Sequence, residues 1–212
     1  HGTGSFLMLN TGRQAIRSRQ RLLATIAYRI GGETTYALEG SVFSAGVSVK
    51  WLRDGLGLTR TAAETDALAA AAGPHKGVYL VPAFTGLGAP HWDAGARGLI
   101  AGLTADADAG DLARAALEAV AYQTRDLLEA MTAEFNAGDA FDAGRMALRV
   151  DGGLTASQWL MRFMADMLER PVDVPEVSET TAFGAAFLAG LGSGVYDGLD
   201  DVARCWRRAA RY

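Results

Sequence analysis

Cysteine is nearly missing from this sequence. Cys205 stands alone among 212 residues, so no internal disulfide can form, and a reducing, cytoplasmic compartment is the expectation. Lysine is almost as scarce: Lys50 and Lys76 are the only two, and arginine carries the rest of the 20 positive charges. Against 24 acidic residues the net charge is −4, which provides no basic face for nucleic acid. No run approaches the roughly 18 uninterrupted apolar residues of a membrane-spanning helix, and the first residues lack the charged-then-apolar order of a signal peptide. Neither a nucleic acid nor a membrane is therefore an expected partner. Five prolines and no Pro/Ser-rich stretch leave no linker, so the chain reads as one large domain or a tight pair. His75, His91 and Cys205 have no companions at zinc-ligand spacing. A G-x-S-x-G elbow and a G-x-x-x-x-G-K-[ST] loop are both missing, which disfavours a triad hydrolase or a P-loop enzyme.

What is present is apolar residues, half of the chain, and 26 glycines, enough to bury a core and to make many tight turns. The chain opens on His1 and runs at once into Gly2-Thr3-Gly4, as a piece cut from something longer would. Phe6 to Thr11 reads as a buried strand, and Leu22 to Tyr28 with Thr34 to Leu38 as a hairpin across Gly31-Gly32. From Ser41 the spacing turns helical, with Ser41 as cap and Gly55 as stop. Thr61 to Ala72 carries Glu64 three residues after Thr61, a capping-box pattern. Val78 to Val81 is a short strand, and 82–97 a long ordered loop. Asp111 to Phe135 is the longest helix, Met146 to Val150 a strand, Thr155 to Leu168 a helix, Val172 and Val174 an extended piece, and Thr181 to Leu191 a small-residue helix. Strands alternating with helices after a hairpin make the class α/β.

Several positions have the chemistry of a ligand site. In Gly2-Thr3-Gly4, glycine lets backbone amides approach an anion and the threonine hydroxyl adds a donor; an ordinary turn has the same composition. The strand ending at Asp151-Gly152-Gly153 before a helix leaves an uncluttered backbone beside helix N–H groups, or else meets a packing requirement. Gly46 inside a helical pattern costs roughly 1 kcal/mol against alanine, so a neighbouring element or a ligand comes close there. Lys50, one turn on, is either a solvated lysine or part of the same site. His91 and Asp93, two apart on an irregular loop, do not form a metal or acid–base pair.

Taken together, Gly2 to Leu7, the loop Val81 to Asp93, Gly98 to Glu118, and Val150-Asp151-Gly152-Gly153 through Thr180 to Ala186 resemble the carboxy-terminal half of the FGGY carbohydrate kinases. Gly98-x-Ile100-x-Gly102-Leu103 followed by Asp111-Leu112 and Ala115 to Glu118 is similar to that family's second signature, and Pro82 to Pro90 is similar to its members that phosphorylate glycerol. The resemblance covers essentially the whole chain. It implies an actin-like, ribonuclease-H-like α/β domain with an initial antiparallel hairpin and flanking helices, residues 1–212 forming the C-terminal nucleotide-binding domain. It implies ATP/ADP and Mg²⁺ as cofactors, glycerol as substrate of the full-length protein, and a homo-oligomer. Carried over residue by residue, it puts Thr3 near the β and γ phosphates, Gly46 on the nucleotide pocket, Gly153 against the adenosine and Phe6 on the glycerol carbons. Lys50 stands where the family has a glutamine, and Ser157 where an asparagine reaches the adenine. The general base is expected upstream of His1, so no catalytic residue is expected in this chain, and nucleotide binding without turnover is the expectation. Two other readings stay open: another FGGY sugar kinase such as one acting on xylulose, and a noncatalytic assembly domain built on Thr181 to Leu191.

Overall fold

The computed structural model describes residues 3–135 and 146–212. His1 and Gly2, the latter the first residue of the expected Gly2-Thr3-Gly4 turn, lie outside them. Three strands open the fold: β1 (Ser5–Gly12), β2 (Leu23–Ile30) and β3 (Glu33–Val42), antiparallel in the order β1-β3-β2. Ile30 faces Glu33 across the Gly31-Gly32 turn. Both glycines take positive φ, 58° and 84°, the conformation of a two-residue turn whose twist matches that of the strands. The expectation of a buried first strand needs correction. Burial alternates along β1, and Phe6 is 69% exposed. Leu7 and Leu9 pack on the core while Phe6 and Met8 point away from it, as the two-residue period of a strand requires.

The helix expected from Ser41 starts later. Ser41 is still in β3, paired with Phe6, and its carbonyl accepts from Ala89 N at 3.0 Å. Helix α1 (Gly46–Lys50) widens into a π-helical turn, Trp51–Gly55. Gly55 does end it: a Cβ there would lie 2.7 Å from the Trp51 ring. Next comes α2 (Ala62–Ala71), capped by the Thr61 hydroxyl, which accepts from Glu64 N at 3.3 Å. The Glu64 carboxylate reaches past the cap to Arg60 N, 2.6 Å, so the capping box is displaced by one residue. Strands β4 (Tyr79–Val81) and β5 (Leu99–Ala101) pair antiparallel around the long loop; β5 was not foreseen.

The centre of the core is α3 (Ala109–Thr132), 24 residues long. Asp108 caps it, accepting from Gly110 N and Asp111 N while the Asp111 carboxylate accepts from Asp108 N. Its alanines (113, 115, 116, 119 and 121) are buried and let neighbouring helices approach, and Leu117, Val120, Leu127 and Met131 fill the space between. Beyond it, β6 (Leu148–Arg149) leads to a 3-10 turn, Gly153–Ala156, then α4 (Gln158–Leu168) and β7 (Val172–Pro175). The stretch expected as one helix from Thr155 is this turn and α4, broken at Ser157. α5 (Thr180–Gly192), α6 (Leu199–Cys205) and β8 (Arg208–Arg211) complete the chain, with sheet order β6-β7-β8; α6 and β8 carried no legible signal. β6 pairs with β7 in parallel, whereas the other ladders are antiparallel. Among the described residues no helix is long and apolar enough to cross a membrane.

Candidate functional site

A cleft of about 310 Å³ opens between the amino-terminal turn, α1 and the turn that precedes α4, and Thr3, Gly46, Lys50 and Gly153 all line it, with Val47, Arg53 and Leu154 among their neighbours. These residues come from three separate segments. The first segment is held to the second by its own backbone: the Thr3 carbonyl accepts from Ala45 N at 3.1 Å and from Val47 N at 3.2 Å. Thr3 thus satisfies amides at the start of α1 that have no partner within the helix. Gly4 lets the turn lie this close, since a Cβ on it would come 2.7 Å from the Val42 carbonyl oxygen.

Gly153 differs from Gly4. Its φ is not in the left-handed region, and a Cβ built on it meets nothing within 4 Å. Neither backbone conformation nor packing asks for glycine here. Gly153 lines the cleft, and the space beside its Cα is open.

The charges are unevenly committed. Arg53 is bound to Asp54, Nε to Oδ1 at 2.5 Å and Nη2 to Oδ2 at 3.0 Å, and that hydrogen bond raises the arginine's pKa and lowers the aspartate's. Lys50 is exposed and has no ion pair among the described residues, exerting only a Coulombic pull on Asp54. Of the two cations that line the cleft, it is the one without an ion pair among the described residues.

Two expected site residues fall elsewhere. Ser157 does not line the cleft. Its hydroxyl donates to the Asp66 carboxylate and accepts from Leu160 N at 3.1 Å, capping α4, and Asp66 also accepts from Trp159 N at 3.1 Å. Phe6 lies on the outward face of β1 and lines a separate cavity of about 670 Å³ with Arg149, Arg170 and Arg211. The structure therefore does not bring Phe6 together with Thr3, Gly46, Lys50 and Gly153.

The motif residues outside the cleft build the frame. Lys76 Nζ donates to the buried Asp111 carboxylate at 2.9 Å and to the Asp106 carbonyl at 2.7 Å, tying the loop before β4 to the start of α3. Hydrogen bonds from Asp108 N and Lys76 hold the Asp111 carboxyl below its ordinary pKa. Buried Glu118 receives the Tyr122 hydroxyl at 3.1 Å and lies 3.3 Å from His75 Nε2. Burial, with Glu118 beside it, pushes the Tyr122 phenol above its usual range. In the long loop, Trp92 Nε1 donates to the Arg21 carbonyl at 2.7 Å, and Asp93 accepts from Gly95 N and Ala96 N, so Asp93 is a turn residue and not a partner of His91. Asp66 and Lys76 escaped the sequence reading because their partners lie far along the chain.

A family model described as "FGGY family of carbohydrate kinases, C-terminal domain" matches residues 1–193. The chain belongs to the FGGY family. Among curated FGGY relatives it is 58% identical, over its full 212 residues, to glycerol kinases of Rhodospirillum centenum and Allorhizobium ampelinum. It spans 41% and 42% of their lengths. In three dimensions it is similar to Plasmodium falciparum glycerol kinase with ADP, with a TM-score of 0.85 and 35% identity over all of this chain and 41% of that one. A ligand-bound xylulose kinase from Lactobacillus acidophilus, TM-score 0.82 and 22% identity over 100% of this chain and 41% of that one, shares the fold. That fold is the actin-like α/β arrangement of the FGGY kinases.

Proposed function

We propose that this chain is the nucleotide-binding half of an ATP-dependent glycerol kinase, which in full length converts ATP and glycerol to ADP and sn-glycerol 3-phosphate. The observation that carries the reading is the convergence of Thr3, Gly46, Lys50 and Gly153 on one cleft, with Gly153 leaving open the room a side chain would fill. The identity to named glycerol kinases, well above that to the xylulose kinase, favours glycerol over a pentulose.

Phosphoryl transfer asks a protein chiefly for positioning and for neutralisation of charge on the transferring group. In this cleft Thr3 offers a hydroxyl, Lys50 an exposed positive charge, and Gly46 and Gly153 a backbone that a nucleotide can approach. The lining side chains include no carboxylate, and among the described residues no group of three or more His, Cys, Asp or Glu converges as a metal site. Among the described residues, the cleft lining thus contributes a cation and a hydroxyl but no carboxylate. Its part is to hold the nucleotide.

The test has two arms. Titrating the 212-residue chain with ADP in a calorimeter gives saturable binding if the reading is right; the absence of binding contradicts it. For the full gene product, turnover of glycerol in preference to xylulose and gluconate is expected, and a preference for xylulose contradicts the assignment of substrate. A second reading, self-assembly, rests on α5, an apolar helix with no buried residue. An oligomer by light scattering that ignores ADP favours it over the first.

A further inference from the structure

Two sheet edges meet at one groove, away from the cleft. β1 is an outer strand of the order β1-β3-β2, and β6 is an outer strand of β6-β7-β8. The cavity of about 670 Å³ that Phe6 lines runs between them: residues 6–10 of β1 form one side, residues 146–149 the other, and Leu128, Met131 and Thr132 of α3 line it as well.

Both edges have backbone groups to give. Leu148 N donates to the Pro171 carbonyl at 2.8 Å and Val150 N to the Asp173 carbonyl at 2.9 Å, so these two residues face β7. Successive residues of a strand direct their N–H and C=O groups to opposite sides. Ala147 and Arg149, which line the groove, therefore direct theirs away from β7. The ladder partners of β1 are all in β3, so every second residue of β1 likewise turns its backbone groups away from its ladder. A lasting free edge is normally blunted by a charge, a proline or a bulge. From Ser5 to Asn10 β1 has neither charge nor proline, and its register shifts only past Asn10. Phe6 and Met8 on its outward face, and Met146 across the groove, are each more than half exposed. Two such edges form a template for a further strand, whose main chain supplies hydrogen bonds and whose alternate side chains meet the apolar ones. At ordinary strand rise and spacing the groove has room for roughly four residues of extended chain.

The source of that strand follows from chain length. This chain spans 41% and 42% of the two glycerol kinases compared above, and the family model it matches is that of a C-terminal domain. In such proteins further sequence precedes β1. Consecutive strands are neighbours in roughly two-thirds of cases, and β3 already occupies the other side of β1, which leaves the free edge for the strand before it.

We infer that the groove between β1 and β6 seats a β-strand from the sequence that precedes His1 in the full-length protein, and that this strand joins the two three-stranded sheets into one. The order becomes β2-β3-β1, the inserted strand, then β6-β7-β8. The inference is independent of the nucleotide reading.

Hydrogen exchange and photo-crosslinking on the full-length protein test it. With fragmentation to single residues, the amides of Ala147 and Arg149 are expected to exchange at least about 100-fold more slowly than in an unstructured peptide. A benzophenone amino acid in place of Met8 is expected to form its adduct with the segment before His1, within one chain when isotopically labelled and unlabelled protein are mixed. Exchange of Ala147 and Arg149 at the unstructured rate overturns the inference. So does an adduct within these 212 residues, after Tyr212 or with a second copy, or the lack of any adduct to the preceding segment.

Discussion

The Asp66 carboxylate on α2 accepts the Ser157 hydroxyl at the start of α4, a hydrogen bond between residues 91 apart in sequence. With the Trp159 amide as its second partner, Asp66 joins the helix that follows one wall of the cleft to the helix that follows the other. Asp66→Ala leaves a hydroxyl and a helix amide without their acceptor, and is expected to lower unfolding free energy by about 1–3 kcal/mol. Asp66→Asn, which retains one acceptor, should lose less. Urea denaturation of the two variants checks this, and equal stability of wild type and Asp66→Ala would remove Asp66 from the frame.

Gly153→Val separates a ligand's need from the fold's. Because a Cβ there meets nothing within 4 Å, the variant should stay within about 1 kcal/mol of wild-type stability while losing affinity for ADP by at least about tenfold. Calorimetry with ADP after a thermal melt decides it. A variant that melts normally and binds ADP as well as wild type would mean that the nucleotide does not pass Gly153.

Gly4→Ala should do the reverse. Its methyl would lie 2.7 Å from the Val42 carbonyl oxygen, so the turn must move, and the Thr3 hydrogen bonds to α1 move with it. The expected cost is about 1–3 kcal/mol, as for other overpacked sites. An unchanged melting temperature would show that the turn has room to adjust.

Glu134 provides a pH test. It accepts from the Ser18 hydroxyl, from Gln20 N at 2.7 Å and from Arg19 N at 3.1 Å, pinning the β1–β2 connection to the end of α3. Burial alone would raise its pKa, but the bonds from Ser18, Gln20 and Arg19 outweigh it and hold the carboxyl below its ordinary 4.5. A folded value below the unfolded one stabilises the protein above that pH and stops doing so as pH falls through the lowered folded value. Glu134→Gln should therefore cost about 1–2 kcal/mol at pH 7 and progressively less on acidification below 4.5. A stability difference that stays constant down to pH 3 would contradict it.

Local chemistry made much of this fold legible. The paired glycines at 31 and 32, the Thr61 cap and the apolar stripe of α3 each act over a few residues, so composition and spacing reveal them. Burial on β1 was misjudged because its apolar residues fall on both faces, and alternation alone does not say which face meets the core. β5 and β8 went unseen because three or four residues carry too little pattern, and they exist by pairing with β4 and β7. Of the residues that line the cleft, Thr3, Gly46, Lys50 and Gly153 could be named from local glycine chemistry and motif resemblance. The diversion of Ser157 could not, because it depends on Asp66, a carboxylate with no local sign of its partner.

The most direct measurement is a backbone amide NMR titration of the 212-residue chain with ADP. The largest shift changes are expected at Thr3, Gly46 and Gly153 together, saturating with one affinity. Changes confined to the Phe6 and Arg149 cavity, or none at the three cleft residues, would contradict the placement of the nucleotide.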